Sequence, residues 1–428
     1  MKRTEVVKVN MKVLKKYGKN FCSAPFTSLY EGENGIITTC CKSRKSLGNT
    51  ETDNYEDVVN SEYLKDLRLK FLRGERPDHC LNCWHIEEIT NKISGPREYN
   101  NFLGKKNLTQ VANEMLPDGT ITEQKPAWLD LLSSNKCNFA CVGCKPHLSS
   151  TIAKKFNEEF SILHEKDSYK DFNKEWTNNI NPRLDYILKY GDSIKMIHLN
   201  GGEPFMSEDT YDLLDAMMNA GLHKKITLWS HTNGSILTNY KGKDLVNDYF
   251  SKWKDARITM SLDGVGKVGS FIRYGYTDEK WQSVLSKIQE QKHIEINVHG
   301  CLNIFNVFHL EEWGATVHKL LNGYNRAHLG MWSDNSVNFK MLGICEDTKK
   351  RAVQLIEKLL SKDDLLPIRW YTELNFYKKS IEEAGRPATS HIRAFVKGVE
   401  ALDQKRNIKF KDACPELIPL MNKAKTLI

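Results

Sequence analysis

No stretch of this chain approaches the roughly 18 to 20 consecutive apolar residues that a membrane-spanning helix requires. Met1 to Asn20 is rich in lysine and has no apolar core, so it does not read as a secretory signal. The expected location is therefore cytoplasmic. There is no arginine-rich tail and no basic segment interleaved with aromatics, so nothing points to nucleic acid in particular, though it stays open as a partner. Charge of one sign is also scarce: 62 Lys and Arg stand against 54 Asp and Glu, a net +8 over 428 residues. That balance would suit a polyanionic substrate, but a solvated lysine surface accounts for it. Low-complexity segments are missing too.

Cysteine, by contrast, is abundant and clustered. Of the eleven cysteines, eight fall between Cys22 and Cys144, and only Cys301, Cys345 and Cys414 lie beyond. In a reducing compartment such clustering favours metal binding over disulfides.

Three textures follow one another along the chain. After an N-terminal extension, residues 1–20, the segment 21–101 is cysteine-bearing and irregular, with strand-like pieces at Phe26 to Tyr30 and Gly35 to Thr39. It also holds one helical run, Glu62 to Arg73. Residues 102–124, with their Gly, Asn and Pro, read as a linker. In 125–345 short apolar runs recur at Trp128–Leu132, Ile194–Leu199, Ile226–Trp229, Ile258–Leu262, Ile294–Val298 and His328–Trp332. Amphipathic patterns separate most of them, which predicts parallel strands joined by crossover helices. The fold class expected is α/β, a partial (β/α)6 TIM-like barrel, with chemistry at the carboxyl ends of the strands. Residues 346–428 read as a helical C-terminal region.

Directly after the first of these strands comes Cys137-Asn138-Phe139-Ala140-Cys141-Val142-Gly143-Cys144. Three thiolates spaced C-x3-C-x2-C can each hold one iron of a 4Fe–4S cube and leave the fourth iron without a protein ligand. With His147 the same loop also reads as a Cys3His zinc site. Further segments follow successive strands: Asn200-Gly201-Gly202-Glu203-Pro204, Thr232-Asn233-Gly234, Ser261-Leu262-Asp263-Gly264 with Phe271-Ile272-Arg273, and Asn303 with Asn306.

In this order the loop and the segments after it resemble the radical S-adenosylmethionine superfamily over roughly Lys125 to Trp332. The resemblance implies a catalytic 4Fe–4S cluster on Cys137, Cys141 and Cys144 whose open iron binds S-adenosylmethionine. It implies that Gly201, Gly202 and Glu203 take the cofactor's ammonium group, and that Ser261 and Arg273 meet its ribose or carboxylate. Relatives carry an aromatic residue before the third cysteine. Here that position is Gly143, and Phe139 is the aromatic that can take its place.

The earlier cysteines, Cys22, Cys40 after Gly35 in a G-x4-C pattern, and Cys80-Leu81-Asn82-Cys83, resemble the SPASM and twitch domains. That implies an auxiliary 4Fe–4S cluster on Cys22, Cys40, Cys80 and Cys83, in a domain that here precedes the barrel. Cys41 adjoins Cys40 as an alternative ligand, and a structural zinc is an alternative occupant.

The activity expected is reductive cleavage of S-adenosylmethionine to a 5′-deoxyadenosyl radical that modifies a peptide or protein side chain. A nucleoside or nucleic-acid base is the second substrate class, and a non-catalytic iron–sulfur or zinc module is the rival. A reducing partner such as flavodoxin or ferredoxin is implied. Cys301, closing the fifth strand, is a candidate hydrogen-atom donor, although buried free thiols more often serve as small hydrophobes. His198, His231 and His299 are candidate acids or bases, with a hydrogen-bonded structural role as the plainer reading. Arg97 in Ser94-Gly95-Pro96-Arg97 reads as an exposed turn residue, and Asp403, Arg406 and Pro415-Glu416-Leu417 as part of a helical cover.

Overall fold

The apolar runs of the central region are short; Trp128–Leu132 is buried throughout, as a parallel strand covered on both faces must be, whereas Ile294–Val298 alternates buried and half-buried residues. The computed structural model describes residues 12–90, 93–321, 327–331, 338–362 and 368–428. Its strands are β1 (Ser28–Glu31), β2 (Ile36–Thr38), β3 (Gly48–Asn49), β4 (Trp128–Leu132), β5 (Ala140–Cys141) and β6 (Met196–Asn200). They continue with β7 (Thr227–Thr232), β8 (Ala256–Ser261), β9 (Arg273–Tyr274), β10 (Ile294–Leu302) and β11 (Ala327–Met331). All six predicted runs are strands, although Trp332 lies outside the described residues. Nine strands form one sheet in the order β11-β10-β8-β7-β6-β4-β1-β2-β3, while β5 and β9 pair separately. The pairs β4–β6, β6–β7 and β10–β11 are parallel, giving a mostly parallel α/β sheet.

The cysteine-rich segment joins this sheet. β1 runs parallel to β4, β2 antiparallel to β1, and β3 antiparallel to β2. Two compact units emerge, Met1–Ser134 with Trp176–Ser230 and Asn247–Arg257, and Asn135–Glu175 with His231–Val246 and Ile258–Ile428.

In the first unit the helix Glu62–Leu72 buries Leu64, Leu67, Arg68 and Phe71, the face its spacing predicts. The expected linker at 102–124 is a correction: Gly95–Glu114 is one continuous helix with Pro96 in its first turn. It escapes periodicity because its buried face is partly polar. Asn101 accepts from the Ser23 amide at 2.8 Å, and Asn107 donates to the carbonyls of Lys125, Pro126 and Ser193 at 3.0–3.1 Å. Such asparagines are satisfied when buried but read as loop residues in a sequence. From this helix Tyr99 and Leu103 pack against Trp128, Met196 and Trp229 on one face of the sheet. On the other face Glu31 is fully buried, 2.5 Å from the Arg183 guanidinium, and accepts from Tyr55 and from Asn178 at 2.8 Å.

In the second unit the expected helical region is present as Glu346–Leu360, Ile368–Glu382, Thr389–Lys405 and Ile418–Lys425. Gly398 lets the helix Thr389–Lys405 approach Asn157–His164 closely, since a Cβ there would stand 2.6 Å from the Leu163 Cα. Among the described residues no helix is long and apolar enough to cross a membrane.

Candidate cluster sites and cofactor segments

The loop of Cys137, Cys141 and Cys144 is held by short-range bonds from the helix that follows it. The Cys137 amide donates to Ser150 Oγ at 3.1 Å, Thr151 Oγ1 donates to the Cys137 carbonyl at 2.7 Å, and Ser149 Oγ to the Phe139 carbonyl at 2.6 Å. Ala140 and Cys141 form β5, and their antiparallel partner β9 brings Arg273 opposite Cys141. Arg273 Nη1 stands 3.8 Å from Cys141 Sγ, and its Nε lies 2.8 Å from the fully buried carboxylate of Asp263. Burial works against the Arg273 charge, but Asp263 and the Cys141 sulfur outweigh it and raise its pKa.

Asp263 is the residue that motif reading quoted without giving a role. It also accepts from the Cys301 amide at 2.7 Å, while Asn306 donates to its backbone carbonyl at 2.7 Å. Asn303 and Asn306 are buried and brace this corner, each donating to the Cys301 carbonyl at 2.9 Å. Asn233 donates to Asn138 Oδ1 at 2.9 Å and reaches to within 4.0 Å of Cys137 Sγ. The turn that presents it requires Gly234, whose φ is +77° and where a Cβ would meet Met260 at 2.6 Å.

The donor set fits an iron–sulfur cluster. Cys137 is buried and Cys141 and Cys144 are half-buried, with the Arg273 guanidinium near Cys141 and the Asn233 amide near Cys137, the setting that stabilises thiolate-held iron. Burial pushes the free thiol of Cys144 up to about 12 and raises Cys141, with Arg273 opposing the latter. Ligation would supply the positive charge these thiols need in order to ionise. Among the described residues, no three Cys, His, Asp or Glu side chains converge as ligands of a single metal ion. His147, the fourth ligand of the zinc alternative, packs its ring 4.0 Å from Phe172. Phe139 is buried against Gly275, and Ser261 ends β8. Cys301 shares a face of β10 with His299, and a Cβ on Gly330 would lie 3.7 Å from its sulfur. The rings of His231 and His299 are 6.0 Å apart.

The Gly201-Gly202-Glu203 segment belongs to the first unit. Gly201 has φ +145°, and a Cβ there would stand 2.7 Å from the Ser134 carbonyl oxygen, which the Gly202 amide binds at 2.9 Å. Glu203 is fully buried. The preceding Asn200 donates to Asp130 Oδ1 at 2.6 Å, and Asp130 lies 3.1 Å from His198 Nδ1. His198 stacks on Trp229 at 3.9 Å, and strand register aligns Tyr30, Asp130, His198 and Trp229 across β1, β4, β6 and β7. This row escaped sequence reading because its members are scattered over four strands.

The other cysteine group lies wholly in the first unit. Cys22, Cys40, Cys80 and Cys83 line one cavity with Tyr63 and Trp84, whereas Cys41 is exposed and does not line it. Gly35 makes the turn before Cys40 with φ +74°, where a Cβ would sit 2.4 Å from Thr50 Oγ1. Burial, then the neighbouring Cys40, pushes Cys80 up to about 12, and the same two causes raise Cys22 further. Arg97 is not the exposed turn residue expected. It is 3% exposed, 2.6 Å from Glu87, stacked 5.0 Å from the Trp84 ring, and donates to the carbonyls of Lys19 and Phe21 at 2.9 Å. Its fixed charge lowers the pKa of Cys22, Cys80 and Cys83 against burial.

Residues 22–84 match the SPASM family, described as an iron–sulfur cluster-binding domain. No curated protein matches the chain. Among solved structures it is similar to anSMEcpe with bound AdoMet, at 15% identity and a TM-score of 0.40, over 57% of this chain and 63% of that one. It is also similar to Streptococcus suis SuiB bound to the precursor peptide SuiA, at 12% identity and a TM-score of 0.37, over 74% of this chain and 64% of that one. The chain thus spans less than two thirds of the length of either structure. A structure of TYW1 with a lysine-pyruvate adduct is matched at 13% identity and a TM-score of 0.25, over 54% of this chain and 70% of that one.

Proposed function

We propose that the chain is a radical S-adenosylmethionine enzyme acting on a peptide or protein side chain, with a partial barrel that carries the reaction and an auxiliary cluster on Cys22, Cys40, Cys80 and Cys83. The observation that carries the reading is the loop of Cys137, Cys141 and Cys144 with Arg273 against the Cys141 sulfur. The SPASM match over residues 22–84 supports an iron–sulfur site there. A cluster held by the three loop cysteines supplies, when bound, the electron that splits the sulfonium–carbon bond of S-adenosylmethionine to give methionine and a 5′-deoxyadenosyl radical.

What the chain contributes is position, charge and dryness. Gly201 turns the backbone through a positive φ that glycine adopts readily, and Glu203 adds a buried carboxylate beside it, so the segment suits an ammonium group. Arg273, aligned by Asp263, is the cation for a carboxylate or ribose oxygen. Cys301, whose amide is fixed by Asp263, is the candidate hydrogen-atom donor.

The test is anaerobic reconstitution with iron and sulfide, addition of S-adenosylmethionine and dithionite, and measurement of 5′-deoxyadenosine. Release by the native protein and none by the Cys137→Ala/Cys141→Ala/Cys144→Ala variant is the expected result. A fully loaded native protein that never releases it, with or without candidate peptides, would favour the non-catalytic metal module.

A further inference from the structure

The helix Thr389–Lys405 ends at Arg406, and the guanidinium turns inward, with 1% of the residue exposed. The Asp403 carboxylate accepts from the Phe410 amide at 2.7 Å, and Lys409 Nζ donates to the Arg406 carbonyl at 2.8 Å, fixing the turn that delivers it. Nη2 then donates to the Ala140 carbonyl at 2.6 Å and Nη1 to the Phe271 carbonyl at 2.9 Å. Ala140 lies between Cys137 and Cys141, and Phe271 lies two residues before Arg273. One side chain therefore bridges the same two segments that β5 and β9 join through their backbones.

The surroundings of this charge are unusual. Its guanidinium carbon lies 5.4 Å from the Phe156 ring, 5.9 Å from Phe160 and 5.0 Å from Tyr274. Among the described residues no carboxylate stands within ion-pair distance of it, and Asp403 and Glu159 act on it only from farther away. Burial pulls its pKa down to about 10, and the Cys141 sulfur pulls it back, so it stays cationic at neutral pH.

The geometry points to Arg406 as the positioning residue of the cysteine loop: it clamps Ala140 to Phe271 and sets a fixed positive charge behind Cys141, as counter-charge to a thiolate-held cluster. The clamp stands on the contacts alone, while the counter-charge rests on the proposed cluster at Cys137, Cys141 and Cys144. Lysine at this position keeps the charge but cannot span both carbonyls with a planar fork.

Two measurements separate the parts. Hydrogen exchange of metal-free protein should show residues 139–144 and 271–274 exchanging about tenfold faster or more in Arg406→Gln, as expected when charge-assisted bonds are lost. Strands β4 and β6 should be unchanged, which also verifies folding. Unaltered exchange in the loop would overturn the clamp. In reconstituted protein the reduction potential of the loop cluster, followed by electron paramagnetic resonance, should move negative in Arg406→Gln and stay near the native value in Arg406→Lys. A native potential in Arg406→Gln would overturn the counter-charge. If native protein assembles no loop cluster, the proposed function and the counter-charge both fall, and the exchange result still decides the clamp. Should Arg406→Gln fail to fold, Arg406→Lys decides the clamp, faster loop exchange supporting it and native exchange overturning it, and Arg406→Met takes the place of Arg406→Gln in the potential measurement.

Discussion

The loop of Cys137, Cys141 and Cys144 and the cavity of Cys22, Cys40, Cys80 and Cys83 present similar chemistry built in different ways. The loop cysteines lie within eight residues, and adjacent hydroxyls of Ser149, Ser150 and Thr151 shape their backbone. The four cavity cysteines come from separate pieces of one unit and meet only when those pieces pack. Each site keeps an arginine near its sulfurs, half-buried Arg273 at the loop and buried Arg97 at the cavity. A site written in contiguous sequence is ordered by local bonds. A site collected from distant segments depends on the tertiary contacts that collect it, and should fail when they do.

The sharpest way to break the comparison is to empty each site in turn. Cys137→Ala/Cys141→Ala/Cys144→Ala should abolish 5′-deoxyadenosine release and remove about half the iron, since each site is expected to hold one cluster of similar size. Cys80→Ala/Cys83→Ala should remove a similar share and leave cleavage of S-adenosylmethionine measurable. Loss of both clusters in either variant would show that the sites are not independent.

A smaller effect is expected at the arginine of the collected site. Arg97→Ala strands Glu87 in a buried position, and breaking such a pair costs about 3–5 kcal/mol. Urea denaturation should show that loss, with iron missing from the cavity and retained in the loop. A variant with native stability and full iron would mean that the cavity is ordered locally after all.

Smaller again is Gly201→Ala. The positive φ and the Ser134 carbonyl leave no room for a Cβ, and strain of this kind costs about 1–3 kcal/mol. Binding of S-adenosylmethionine, measured by calorimetry on reconstituted protein, should weaken by roughly tenfold. Unchanged affinity would remove the glycine segment from the cofactor site. The smallest effect belongs to Cys41→Ser, whose side chain is exposed and outside the cavity: stability should stay within about 0.5 kcal/mol and iron should be native. Cys40→Ser should lose the auxiliary iron. The opposite result would exchange the two as ligands.

The six central strands and the helix Glu62–Leu72 were legible because burial imposes period and composition on them. The helix Gly95–Glu114 was not, since Asn101 and Asn107 take buried positions by satisfying distant backbone groups. The same holds for Arg97, whose sequence neighbours suggest a turn while its partners Glu87, Lys19 and Phe21 lie elsewhere along the chain. Asp263 stood in a quoted motif, but its bonds to Arg273 and Cys301 could be seen only after folding.

By itself the sequence determined the short-range chemistry: the cysteine spacing, the glycines at turns and the alternation of strand and helix, all of which act over a few residues. The tertiary structure alone decided which polar side chains are buried and what they hold. It placed Arg406 on the carbonyls of Ala140 and Phe271 and aligned Tyr30, Asp130, His198 and Trp229 in one row. A buried polar group needs a partner wherever the fold can supply one, and residues far apart in the chain carry no local sign of that pairing.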